Sequence, residues 1–302
     1  MKTIKSMPWL KFLTYSAAGL FLFLYSCKDN AIDFNADDSK NVENEATTDA
    51  YFQDSEDMSG VAVGAASETL TGRLDGRTED FPKSVDLRFS CATVTVVKST
   101  SPVSTAVTPR GTITIDFGAG CTDAKGNVRK GKIIITYVGR RFIQGSTVTT
   151  TLENYYINGI KLEGTRTVTN SSSSNEDAPR FNVVLAGGKA TWPDGTFATR
   201  EANRTIEWTR TANPLQDQLA VSGSAAGSNR NGRTYTMSIT KALVYKRECA
   251  VSNRVYMAVQ GTKELTADGK KITIDYGAGD CDRMVTITIN GKSKEVEVKG
   301  DI

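Results

Sequence analysis

Histidine is absent from all 302 residues of the chain. This absence excludes the Ser-His and Cys-His pairs of many hydrolases and every metal site that needs an imidazole ligand. The sequence also lacks the GxSxG, SxxK and HExxH motifs and the glycine-rich phosphate loop, each of which would indicate a known catalytic mechanism. We therefore expect a protein that is not an enzyme and that requires no cofactor.

A long hydrophobic run is also missing, because the longest mostly apolar stretch, residues 12–24, has only 13 residues. That length is too short for a membrane-spanning helix, and three lysines precede it, as in a secretory signal peptide. The residues Leu24-Tyr25-Ser26-Cys27 that follow resemble the lipobox of bacterial lipoproteins. This resemblance implies that residues 1–26 are a signal peptide and that Cys27 is acylated, which anchors the chain stably in a membrane.

Basic residues are scarce just after Cys27, where residues 28–60 contain two lysines and ten acidic residues. This composition is poor in aromatic and β-branched residues, so we expect 27–60 to be a lipidated, acidic and disordered tether. Residues 61–302 hold 32 basic and 24 acidic residues, a net charge of +8, and are expected to form the globular domain. The positive charge is spread along the chain without a basic block, so nucleic acid is not an expected partner.

Cysteine is rare, with five residues at positions 27, 91, 121, 249 and 281. If Cys27 is acylated, the other four can all pair, in three connectivities. The stretch ITIDFGAGC at 113–121 recurs as ITIDYGAGDC at 272–281. Each copy ends in a cysteine that follows another cysteine at a similar distance: Cys121 lies 30 residues after Cys91, and Cys281 lies 32 residues after Cys249. The repeat therefore predicts the disulfides Cys91–Cys121 and Cys249–Cys281, and each copy is expected to be a strand, a glycine turn and a disulfide.

The first of these turns also has oxygen-bearing side chains, at Asp116, Asp123 and Asn127. Such oxygens are the ligands that Ca²⁺ prefers, which makes a calcium site an alternative interpretation. Their spacing does not match an EF-hand loop, and Asp and Asn are common in turns because their side chains bond to the local backbone. A turn without a bound metal is the main expectation.

Short runs rich in Thr, Val, Ile and Tyr fill the region from about residue 86 to residue 298. Asn-Gly and Asp-Gly pairs between these runs are typical of tight β-hairpins. No run of twelve residues in this region has the period of an amphipathic helix. We predict an all-β domain, an antiparallel meander that forms a sandwich or a half-barrel.

Four aromatic residues could form a face that binds a glycan or a peptide: Trp192, Trp208, Tyr155 and Tyr156. Aromatic side chains on strands more often pack in the core or against a neighbouring strand, and that interpretation is favoured.

The whole mature sequence resembles uncharacterised envelope lipoproteins of Bacteroidota. The resemblance lies in the lipobox, the acidic segment, and the stretches FGAGC, GNVRKGKIIITYVGR and NYYINGIKLEGTRTVTN. It implies an outer-membrane lipoprotein in the cell envelope with a non-enzymatic binding or structural role, whose partners are the membrane and an envelope protein or glycan. A carbohydrate-binding or glycan-processing accessory lipoprotein is the alternative, and the side of the outer membrane on which the domain lies stays open.

Overall fold

The computed structural model describes residues 36–69, 86–124, 126–174, 178–253 and 255–298. In the first helix, side chains are described from residue 47 to residue 66. The predicted signal peptide, Cys27 with its predicted acylation, and the tether residues 28–35 lie outside the described residues.

Strands account for most of the described chain. They are β1 (Thr93–Lys98), β2 (Arg110–Asp116), β3 (Cys121–Thr122), β4 (Val128–Val138), β5 (Thr147–Ile157), β6 (Ile160–Asn170), β7 (Arg180–Thr191), β8 (Phe197–Thr209), β9 (Gln218–Ser228), β10 (Thr234–Lys246), β11 (Gln260–Ala267), β12 (Lys270–Ala278), β13 (Met284–Ile289) and β14 (Lys292–Glu297). Two α-helices are described, α1 (Ala36–Thr69) and α2 (Arg247–Ser252), together with 3₁₀ turns at Leu87–Phe89 and Pro214–Gln216.

The fourteen strands form one antiparallel sheet in which successive strands are neighbours, and the short β3 pairs with β4 beside the main path. The prediction of an all-β antiparallel meander is confirmed. The sheet is open, with β1 and β14 at its edges, and it is one continuous sheet rather than the two sheets of a sandwich. This order follows from the hairpin signals, because a tight turn can only join strands that lie side by side.

Register shifts interrupt most of the long strand pairs, and each adds local bend and twist to the sheet. One lies at Gly131 in β4, which has a φ of +80°. A Cβ there would lie 1.9 Å from the carbonyl oxygen of Asn154, so glycine alone allows the two strands to approach. One face of the bent sheet, called here the inner face, packs against α1 through strands β4, β5, β6 and β8.

The repeated stretch forms the same local structure twice, at the ends of β2 and β12. In the first copy the Asp116 carboxylate accepts a hydrogen bond of 2.8 Å from the Gly118 N–H, and Asp275 accepts one of the same length from Gly277. Both glycines have positive φ, which turns the chain back. The predicted disulfides are confirmed: Cys91 bonds to Cys121 and Cys249 bonds to Cys281, with Cα–Cα distances of 5.9 and 4.9 Å.

Two large apolar clusters lie on the inner face. The first joins α1 to strands β1–β7 and contains Met58 of the helix with Ile113, Ile133 and Tyr155 of the sheet, all fully enclosed. The second is built from strands β9–β14 and centres on residues such as Leu265. The alternation of apolar and polar residues along β2 and β13 accounts for this arrangement, since only one side of each strand faces the interior.

The acidic segment differs from the sequence expectation. Residues 28–60 were expected to be disordered, but the chain is helical from Ala36 to Thr69, and the expected domain boundary at residue 60 falls inside α1. The acidic composition, poor in aromatic and β-branched residues, was the reason to expect disorder, and buried arginines offset that acidic charge by pairing with Asp49, Asp54 and Glu56. Phe52 and Met58 add apolar burial on the same helix. In the part of the chain that the structure describes, no helix combines the length and the apolar character needed to cross a bilayer.

Candidate functional site

The inner face is lined by arginines, which is unusual for the interior of a protein. They are Arg129 on β4, Arg166 on β6, Arg200 and Arg204 on β8, and Arg88 in the 3₁₀ turn before β1. Arg88, Arg129 and Arg200 are each no more than 1 % exposed. Burying such charges is costly unless each one finds a counter-charge and hydrogen bonds, so the acidic residues of α1 are structurally required here.

Helix α1 supplies those counter-charges at successive turns. Asp49 pairs with Arg200 at 3.1 Å and with Arg204 at 2.7 Å, and Glu56 pairs with Arg166. Asp54 bridges two arginines, with its carboxylate oxygens 3.0 Å from the Arg88 Nη1 and 2.6 Å from the Arg129 Nη1. The helix therefore closes the inner face by ion pairing as well as by apolar contact.

The pairings with arginine lower the pKa of two buried carboxylates, whereas a third keeps a raised pKa. Burial raises the pKa of Asp49 and Asp54, but the paired arginines outweigh burial and hold both pKa values below the usual range. Asp57 differs because it shares the single guanidinium of Arg88 with Asp86 and Asp54. Burial, together with these two neighbouring carboxylates, raises the pKa of Asp57 from 3.8 to about 7, in spite of the pairing with Arg88.

A cleft of about 50 Å³ lies between α1 and strands β5–β9, next to this network. Its walls are mostly apolar and include Val148, Val168, Phe181, Ile206, Trp208 and Leu219. The loop between β4 and β5 contributes Arg141 and Phe142 to the cleft, and α1 contributes Glu56, Asp57 and Gly60. Apolar walls with a few polar groups are typical of small-molecule sites, and a volume of this size holds a small group.

The aromatic rings of the cleft contact one another and two guanidinium groups. The Phe142 ring lies 5.8 Å from that of Trp208 and 6.1 Å from that of Phe181. Arg210 stacks over Trp208 at 4.3 Å, and Arg141 lies 5.5 Å from the centre of the Phe181 ring. Phe142 is 40 % exposed, so this aromatic group reaches the surface at the mouth of the cleft.

The four aromatic residues singled out in the sequence do not form one binding face. Tyr155 is fully buried in the core, where its hydroxyl accepts a hydrogen bond of 2.6 Å from Arg129. Tyr156 lies on the opposite side of β5, under the Lys130 ammonium. Trp192 follows β7 and stacks against Arg230, whereas Trp208 is a wall of the cleft. Of the four, Trp208 alone belongs to the candidate site.

The three residues of the calcium interpretation are engaged in other bonds. The Asp123 carboxylate is fully buried, pairs with Arg129 at 2.8 Å and accepts the Asn127 backbone N–H. Asp116 holds the turn at Gly118, and the side-chain oxygen of Asn127 accepts a hydrogen bond from Asn158. Across the described residues, no group of three or more Cys, Asp or Glu side chains is arranged to hold a metal ion.

Sequence reasoning missed Arg141, Phe142 and the acidic residues of α1 as members of a site. The stretch Gly-Arg-Arg-Phe-Ile-Gln-Gly at 139–145 held a usable signal, because it places cationic and apolar side chains together in a loop bounded by glycines. Exposed loops on a rigid sheet often carry the residues that bind ligands. No family model, curated protein or solved structure matches this chain.

Proposed function

We propose that this protein is a lipid-anchored, non-enzymatic binding protein of the cell envelope, and that the cleft between α1 and strands β5–β9 is its binding site. The observation that carries the proposal is the composition of the cleft, in which apolar and aromatic walls surround a few polar groups. Specific small-molecule sites combine these two features.

The envelope location is supported by two features of different kinds. The two disulfides favour an oxidising compartment, since such bonds persist outside the cytosol. The resemblance of residues 24–27 to a lipobox supports an anchor on Cys27, and the odd number of cysteines supports it as well, because it leaves Cys27 without a disulfide partner.

The anchor predicts a specific labelling result. Cells of a lipoprotein-processing bacterium that express the full chain and grow with an alkyne fatty acid should incorporate the label into the protein, and it should sediment with membranes. Cys27→Ala should abolish the label and release the protein, because no thiol remains to be acylated. Ser26→Ala keeps a small residue at the cleavage position and should behave as wild type. Labelling that survives Cys27→Ala would refute the anchor.

The cleft predicts binding of a small apolar molecule. Full-length protein in lipid nanodiscs should broaden the ¹⁹F NMR line of 2-(4-fluorophenyl)ethanol in a saturable manner, with empty nanodiscs as the blank. Val168→Phe should reduce this binding at least tenfold, because its ring would occupy the cleft.

Val184→Phe is the matched control, since Val184 is also half-buried but faces the other side of the sheet on the adjacent strand. The assignment of the site fails if the two phenylalanine variants bind the alcohol equally well.

A further inference from the structure

We infer that the ligand of the cleft is an organic anion, a carboxylate carried on a small apolar body, and that Arg141 binds its carboxylate. This inference rests on the proposed function, because it names the ligand class of the same cleft. It is carried by the position of Arg141 and by the charges and walls around that side chain.

Arg141 is held at the cleft without a carboxylate of its own. Among the described residues it forms no ion pair, and its Nε is buried without a hydrogen-bond partner. Its guanidinium lies over Gly60 of α1, where a Cβ would approach the Nη1 to 2.8 Å, so glycine leaves the space that the group occupies. Burial lowers the pKa of Arg141, while the Glu56 and Asp57 carboxylates act in the opposite direction.

The carboxylates beside Arg141 are already engaged. Glu56 pairs with Arg166, and Asp57 pairs with Arg88. An arginine keeps its charge in a protein and presents several N–H donors in a plane, a geometry that matches a carboxylate. A ligand carboxylate would therefore provide the hydrogen-bond acceptors that Arg141 lacks within the described chain.

A second cation at the mouth of the cleft also favours a negatively charged ligand. The guanidinium of Arg210 lies 4.9 Å from the centre of the Phe142 ring and 4.3 Å from that of Trp208. The Phe142 ring therefore contacts a second guanidinium, that of Arg141, which lies 5.9 Å from the ring centre. Two cations near an apolar opening attract an anion and repel an ammonium group.

The walls define the remainder of the ligand. Val148, Val168, Ile206 and Leu219 offer only hydrocarbon, and the volume of about 50 Å³ holds a short chain or the edge of a ring. A small aromatic or short aliphatic carboxylate satisfies both the walls and the guanidinium, whereas a sugar would place most of its hydroxyl groups against walls that are mainly hydrocarbon.

Three probes of the same shape and different charge test the inference. They are 4-fluorophenylacetate, 2-(4-fluorophenyl)ethanol and 4-fluorophenethylamine, each titrated by ¹⁹F NMR against full-length protein in nanodiscs. We expect the carboxylate to bind at least tenfold more tightly than the alcohol, and the amine to bind most weakly. Arg141→Met should remove the advantage of the carboxylate while leaving the affinity for the alcohol within about twofold, since the apolar walls remain.

Arg140→Met is the matched control, because the adjacent Arg140 is exposed and donates to the Ala106 carbonyl away from the cleft. Its carboxylate affinity should equal that of the wild type. If Arg141→Met also loses affinity for the alcohol, Arg141→Gln serves as the second variant. Equal binding of the three probes, tightest binding of the amine, or a carboxylate advantage that persists in both Arg141 variants would overturn the inference and leave the proposed cleft standing. Failure of all three probes to bind would remove the proposed site itself.

Discussion

A chain that begins at residue 61 is expected to fail to fold cooperatively, whereas a chain that begins at residue 36 is expected to melt in one transition. The shorter chain loses Asp49, Asp54 and Glu56, which neutralise the arginines of the inner face. Removing one partner of a buried ion pair costs about 3–5 kcal/mol, and a typical domain has a total stability of only about 5–15 kcal/mol. Losing several partners at once should therefore exceed the stability of the fold.

Circular dichroism melts of the two chains, both with intact disulfides, provide the measurement. A synthetic peptide of residues 36–69 added to the shorter chain should restore a cooperative transition, because the missing carboxylates return with it. A scrambled peptide of the same composition is the control. Equal melting temperatures for the two chains would mean that residues 36–60 of α1 do not stabilise the sheet.

Asp54→Asn and Asp57→Asn are expected to change stability in opposite directions at pH 8, although the two residues lie three positions apart on α1 and share Arg88. Asp54 has a lowered pKa, so its ionised form stabilises the fold above the pKa of the unfolded chain. Its replacement should cost about 3–5 kcal/mol, because two buried arginines lose a counter-charge. Asp57 has a pKa raised from 3.8 to about 7, so its ionised form is unfavourable in the fold. Replacing it should gain about 1–2 kcal/mol at pH 8.

The pH dependence gives the same prediction a second test. Below about pH 4 Asp57 is protonated in both states, and between about pH 4 and 7 only the folded chain holds the proton, so stability should fall as the pH rises through this window. Asp57→Asn should remove that fall, because the amide does not titrate. The contribution of Asp54 has the opposite sign and is lost as the pH decreases below about 4. Urea titrations at pH 5 and pH 8 measure the Asp57 effect, and a further titration at pH 3 measures the loss of the Asp54 contribution. A loss of stability in Asp57→Asn at pH 8 would contradict the assignment.

The strands and disulfides were predictable from the sequence because both depend on local pattern. Alternation at Ile113 and Ile115 marks one buried side of a strand, and the hairpin turns then dictate that neighbours in sequence are neighbours in the sheet. The repeat of ITIDFGAGC supplied the pairing of cysteines, which composition alone leaves open. These features require no knowledge of distant contacts.

Helix α1 was not predictable in the same way. Its buried side includes Thr48, Ser55, Asp57 and Ser59 beside apolar residues, so the sequence has no apolar stripe at helical spacing. Its acidic side chains are stabilised by arginines more than thirty residues away, such as Arg129 and Arg200, and composition does not reveal that arrangement. The cleft was missed for the same reason, since this helix forms one of its walls.

The start of α1 at Ala36 also limits how far the domain can move from the membrane. If Cys27 carries the lipid, as proposed, only eight residues separate it from the helix, a reach of at most about 30 Å. A free tether of 33 residues would reach about 110 Å when extended. This short linker keeps the domain close to the bilayer surface. The effective concentration that the domain presents to any partner anchored in the same leaflet is therefore higher. A pull on the anchor would act on the N-terminal end of α1, and the ion pairs of Asp49 are the described ion pairs of the helix that lie nearest to that end.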